Sequence, residues 1–190
     1  MNRRLLVVAL LVFTGLLLPL LLPEAVQTAG RYDRAALAHG EWWRLISAHF
    51  VHLGPRHTLL NAAAAGILVL LFGEALSARS WPVVLAASLV AVDAGLWFFS
   101  PNIQWYAGAS GVLHGVIAAG GLALANLRDW RGGVLLALLT SKLIFEQYTS
   151  GDLGFAGGLP VVLDAHLYGA LGGAAGLLGW RIAARQLLVR

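Results

Sequence analysis

The stretch Gly108-Ala109-Ser110-Gly111-Val112-Leu113-His114-Gly115-Val116-Ile117-Ala118-Ala119-Gly120-Gly121-Leu122-Ala123-Leu124-Ala125 has a serine at its mouth, a histidine one turn later and otherwise only apolar residues and glycine. Residues 109–127 match the ~20 residues with which a helix crosses a bilayer core. Polar groups at that depth cost several kcal/mol unless they are paired or face a wet cavity. Ser110 and His114 therefore ask for partners, and those must come from other parts of the chain.

Working outward, further apolar stretches cover 5–23, 57–77, 81–100, 132–149 and 161–183. Together they predict an all-α polytopic membrane protein, a bundle of six transmembrane helices forming one domain over 1–190, with no repeat or low-complexity segment. Composition agrees: 59% of residues are hydrophobic and 12% charged, with mean hydropathy +0.77. A soluble domain needs far more charge to cover its surface. The 23 glycines cluster late, as in closely packed membrane helices. The absence of cysteine excludes both a disulfide framework and a thiol nucleophile.

The net charge of +4 does not point to nucleic acid, because the arginines lie at helix ends. Arg3, Arg4, Arg79, Arg128, Arg131, Arg181, Arg185 and Arg190 fall on one side of the six-span scheme, whereas loops 101–108 and 150–160 hold no Lys or Arg. The positive-inside rule then places both termini in the cytoplasm. The first outer loop, 24–56, carries Arg31, Arg34, Arg44 and Arg56 but is amphipathic. It is expected to lie in the outer interface with Trp42 and Trp43 at headgroup level. The apolar run after Met1-Asn2-Arg3-Arg4 exceeds a usual signal-peptide core and is not promptly followed by Ala-x-Ala, so it reads as an uncleaved anchor.

In this topology spans two, four and six all start in the outer leaflet. Their outer ends carry His57 and Asn61, Ser110 and His114, and His166. A serine in a membrane helix usually serves packing, bonded to its own i−4 carbonyl. His166 changes the balance, since a neutral imidazole can accept the serine proton and return it to a leaving amine. Gly169 and Gly173 continue the His166 face and let span six approach a neighbour closely. His57 and Asn61, at i and i+4, can donate to a developing oxyanion, as can the backbone N–H of Ser110. Asp164 points ~200° away from His166 on a helix, and Asp93 in mid-span reads as one end of a polar contact. The expectation is a Ser110–His166 dyad without an orienting carboxylate.

These motifs resemble the rhomboid intramembrane serine proteases. Gly108 to Gly111 match the family's Gly-x-Ser-Gly on the fourth helix, and Ala165, His166, Gly169 and Gly173 match its Ala-His-x-x-Gly-x-x-x-Gly on the sixth. His57 and Asn61 match its His-x-x-x-Asn on the second, Trp43-Arg44 its first-loop Trp-Arg, and His52 a further loop histidine. The resemblance covers residues 41–176. One departure is His114, where many bacterial members have a tyrosine stacked on the catalytic histidine; a hydrogen bond to His166 is its alternative role. With the short chain and Lys142-Leu143-Ile144-Phe145-Glu146-Gln147 on helix five, the sequence is similar to the rhombosortases.

That likeness implies a protease of the bacterial inner membrane, opening to the periplasmic side without a cofactor. Its substrates would be exported proteins with a C-terminal Gly-Gly transmembrane sorting tail. Its partners would be that substrate and the lipid bilayer, with no nucleic acid. A generalist rhomboid for single-span substrates and a non-catalytic client-binding relative are the alternatives; a transporter would need more charge across the midplane. Lys142 and Glu146, at i and i+4, read first as a buried ion pair and second as a docking site for the tail. His39 and His49 have no metal-ligand spacing and no His-Glu-x-x-His is present, so no metal is expected.

Overall fold

Prolines and glycines set where the helices of this chain start and stop. In a computed structural model, which describes residues 3–149 and 161–188, helix α1 runs over Arg3–Leu17. It tightens to a 3₁₀ turn at Leu18–Leu21, where Pro19 removes an amide donor. Three short helices follow: α2 (Glu24–Ala29), α3 (Arg34–Ala38) and α4 (Arg44–Ser47). Helix α5 (Pro55–Phe72) has proline in its first turn, where the lost N–H is not missed. Then come α6 (Ser80–Phe99), α7 (Ser110–Asn126), α8 (Trp130–Thr149) and α9 (Leu163–Leu188).

The apolar stretches read from the sequence thus fold as helices, with ends displaced by a few residues. The second stops at Phe72 before Gly73, and the last continues through Arg181 and Arg185. Only α5 and α6, among the described residues, are long and apolar enough to cross a membrane by themselves. The 15 residues of α1 span about 22 Å and the 17 of α7 about 25 Å, both short of a core ~30 Å thick. Helix α8 carries Arg131, Lys142 and Glu146, and α9 carries Asp164, Arg181 and Arg185. The arginine-free loop 150–160 and the ends Met1, Asn2 and Arg190 lie outside the described residues.

Helix α7 is the axis of the bundle. Its residues Gly111 to Val116 and Ala118 to Gly121 are almost all buried, and α9 packs between it and α6. The contact is backbone to backbone. A Cβ on Gly169 would collide with the carbonyl of Gly111, and one on Gly173 with that of Gly115. On the other side of α9, Gly172 and Gly176 meet Ala91 and Ala87 of α6. One apolar core joins α1, α5, α6 and α7 through Leu16, Phe72, Val84, Val116 and Ala119. Outside it, Leu11, Leu70, Phe99 and Tyr148 stand exposed, a greasy exterior that water does not tolerate over such an area.

The first loop, 24–56, carries the short helices α2 to α4. Its residues fold into a cap with a core of its own, in which Tyr32, Leu37 and Ala48 pack on Val92, Leu96, Tyr106 and Ala165. Among the described residues, β1 (Tyr32–Asp33) pairs antiparallel with β2 (Trp105–Tyr106), Tyr32 opposite Tyr106. Arg34 clamps the cap to the end of α6 by donating to the carbonyls of Leu96, Trp97 and Ser100. His49 adds a buried bond of 3.2 Å to Asp93, the polar contact expected of that aspartate. Trp42 and Trp43 remain exposed on the cap.

Candidate active site

The turn ahead of Ser110 is held from every side. Gly108 has φ +122°, a conformation that side chains disfavour. A Cβ there would also meet His57 Cε1 at 2.8 Å. Its N–H donates to Ala48 O at 2.8 Å, and its carbonyl accepts the Tyr106 hydroxyl at 2.5 Å. The Ala109 N–H points to His52 Nε2 at 3.4 Å, while His52 Nδ1 donates to Phe50 O at 2.9 Å. Burial, with His57 nearby, pulls His52 down to about 4. The ring is therefore neutral and can accept that amide. His52 and His57 also meet edge to face at 5.0 Å.

Ser110 Oγ lies 3.1 Å from His166 Nε2. The glycine-lined contact of α7 with α9 produces this proximity, because it leaves no side chain to hold the two backbones apart one turn below. His114 stacks on His166 with ring centroids 4.0 Å apart and planes 16° from parallel. Its Nδ1 donates to Ser110 O at 2.7 Å. His114 therefore meets His166 through its ring face and uses its hydrogen bond on its own helix.

On the far side of the His166 ring stands Glu146. Its carboxylate oxygens lie 3.0 and 3.1 Å from His166 Nδ1, and Lys142 Nζ donates to the same carboxylate. Lys142 and Glu146 thus form the i,i+4 ion pair that their spacing suggested, with Glu146 buried and Lys142 lining the cleft. In the sequence neither Asp164 nor Asp93 suited His166 as an orienting carboxylate, and the one that reaches it, Glu146, stands on α8. The available signal was an acidic residue inside an apolar helix. Asp164 faces away from the site, accepting Ser100 Oγ at 2.5 Å. His114, Glu146 and His166 offer ligand atoms within 4.8 Å of one another. The stacked rings and the Lys142 ammonium on the carboxylate leave a cation poorly served there.

His57 and Asn61 come to the same place. Leu53 N–H donates to His57 Nδ1 at 3.3 Å, so His57 carries its proton on Nε2. Asn61 Nδ2 spends one N–H on His57 O at 3.0 Å and keeps a second. Both residues, with Ser110, His114, Lys142 and His166, line a cleft of about 350 Å³ whose walls are Leu60, Ala64 and Ile67 of α5 and Ile117 of α7. Trp43 and Arg44 stand apart in the cap, where Arg44 pairs with Glu41 and donates to Arg31 O. The His39 ring is exposed, with Nδ1 2.7 Å from Ala35 O.

The site is thus a serine one hydrogen bond from an imidazole, between apolar helices and beside two further donors. The rhomboid domain model matches residues 39–184, and the chain belongs to the rhomboid family. Two Bacillus subtilis proteins with rhomboid-protease names are similar to it. YdcA is 27% identical over 72% of this chain and 66% of its own length. GluP is 28% identical over 87% of this chain and 33% of its own length. The chain thus spans less than two thirds of each of these relatives. No solved structure matches it.

Proposed function

We propose that this chain is an intramembrane serine endopeptidase, a reading carried by the 3.1 Å approach of Ser110 Oγ to His166 Nε2. Ser110 Oγ attacks the scissile carbonyl carbon while His166 Nε2 takes its proton. The tetrahedral oxyanion is held by Ser110 N–H, His57 Nε2–H and the second amide N–H of Asn61. His166 then hands the proton to the leaving amine, and a water molecule deprotonated by His166 hydrolyses the acyl-enzyme. Gly108, Gly111, Gly169 and Gly173 fix the close approach, and His114 holds the imidazole plane.

In this reading the whole chain is one rhomboid domain that crosses the bacterial inner membrane six times, through α1 and α5 to α9, with both termini cytoplasmic. The short α7 needs no full lipid exposure because its neighbours cover it. The N-terminal ends of α5, α7 and α9 face the periplasm, so cleavage occurs on the outer side. The substrate is an exported protein with a Gly-Gly motif ahead of a C-terminal apolar helix. Two arguments support that choice. Each glycine lowers helix stability by roughly 1 kcal/mol, and the missing side chains let an extended backbone lie close to Ser110.

The test is a reporter bearing Gly-Gly, an apolar helix and terminal arginines, incubated with the full chain in proteoliposomes. Cleavage near the glycines and its suppression when leucines replace them is the expected result. Equal cleavage of the leucine version removes the sorting role and leaves a general rhomboid protease.

A further inference from the structure

The rhomboid-type pair of Ser110 and His166 has a third neighbour on α8, Glu146, whose spacing in the sequence suggested only an ion pair with Lys142 or a docking site. We propose that Glu146 is a positioning residue that completes a Ser110–His166–Glu146 triad, with Lys142 supplying the counter-charge; the assignment rests on the protease reading above. The tautomer argues for it. For His166 Nε2 to accept the Ser110 proton it must present its lone pair, so the ring proton sits on Nδ1. Facing Nδ1 are the two Glu146 oxygens at 3.0 and 3.1 Å and Lys142 Nζ at 3.4 Å. An N–H can donate only to the carboxylate, and the charge-assisted bond is both shorter and stronger. Glu146 therefore selects the tautomer that makes His166 a base.

The same contact acts during the reaction. When His166 takes the serine proton it becomes an imidazolium, and Glu146 already stands on its Nδ1–H. No group has to move, and Glu146 keeps no proton of its own. His114 stacked at 4.0 Å on one ring face fixes the plane, and Glu146 at the ring edge fixes rotation within that plane. Lys142 explains how a buried carboxylate is tolerated in an apolar helix: its ammonium donates to Oε1, one of the two Glu146 oxygens that His166 Nδ1 faces, and neutralises the charge.

The experiment measures Ser110 phosphonylation, which needs no known substrate. In an alkyl fluorophosphonate, Ser110 Oγ bonds to phosphorus, fluoride leaves, and the serine proton passes to His166. The full chain in proteoliposomes is compared with Glu146→Gln, Glu146→Asp, His166→Ala and the double variant Glu146→Gln/His166→Ala, with helicity and thermal midpoint recorded for each. Glu146→Gln is expected to lower the maximal labelling rate on the order of 10²- to 10⁴-fold with little change in half-saturating concentration. Glu146→Asp should recover part of the rate. The double variant should label no more slowly than His166→Ala, since Glu146 acts only through His166.

A Glu146→Gln rate within threefold of wild type overturns the triad. So does a Glu146→Gln loss that persists in the His166→Ala background, which would mark a merely structural role. If Glu146→Gln fails to fold, a Glu146→Asp variant that folds but labels no faster than His166→Ala overturns it as well. A wild-type chain that is never labelled at Ser110 overturns the protease reading and the triad together.

Discussion

Gly169→Ala is expected to slow catalysis without touching the reacting atoms. A Cβ at Gly169 falls well inside contact distance of the Gly111 carbonyl oxygen, and neither backbone has a flexible end that can yield. Relieving the clash requires α9 and α7 to part by roughly 1 Å in a close-packed interior. His166 lies one turn above Gly169, so the Ser110–His166 separation of 3.1 Å opens to about 4 Å, beyond the reach of a hydrogen bond. A misplacement of that size costs on the order of 10²-fold in turnover. Stability falls by up to about 2 kcal/mol, because overpacking at ~1–3 kcal/mol is only partly offset by the ~1 kcal/mol that alanine adds to a helix. Gly179→Ala on the same helix is the control, since nothing lies within 4 Å of its added methyl, and both rate and midpoint should hold or rise. The assay is kcat on the glycine-tailed reporter in proteoliposomes alongside thermal melting. A Gly169→Ala protein with wild-type kcat would refute the claim that glycine contact sets the distance.

His57→Ala and Asn61→Ala should each reduce kcat by about 2–4 kcal/mol of barrier if they hold the oxyanion; reduced yield with unchanged specific activity would return either residue to a structural role. His52 makes folding acid-sensitive. The unfolded chain takes up this proton near pH 6.5 and the folded chain only near 4. Stability therefore falls as pH drops through that window, by about 3 kcal/mol at its foot, and does not depend on this group above it. His52→Asn should flatten the thermal midpoint between pH 6.5 and 4, whereas an unchanged slope would remove His52 as the cause.

Sequence exposed those features that depend on local pattern. The long helices follow from runs of apolar residues, and Ser110, His166, His57 and Asn61 follow from spacing within single helices. Two features escaped because they depend on contacts between distant segments. The pairing of Tyr32 with Tyr106 joins residues far apart in the chain, so the cap that loop 24–56 forms was not legible in its local pattern. Glu146 reaches His166 across 20 positions, and on its own helix its nearest partner, Lys142, accounted for its charge. The role of His114 was left between stacking and hydrogen bonding, and only the ring geometry distinguishes them. The shortness of α1 and α7 reflects Pro19 in one case and the turn at Leu127 and Arg128 in the other.

The central claim is that Ser110 and His166 act as one nucleophilic unit. Its most direct test is the rate of reporter cleavage by wild type, Ser110→Ala, His166→Ala and the double variant, all in proteoliposomes, with the cut located by mass spectrometry. Wild type is expected to cleave on the outer side, each single variant to lose cleavage, and the double variant to be no worse than either. A Ser110→Ala chain that cuts the reporter at the wild-type rate would contradict it.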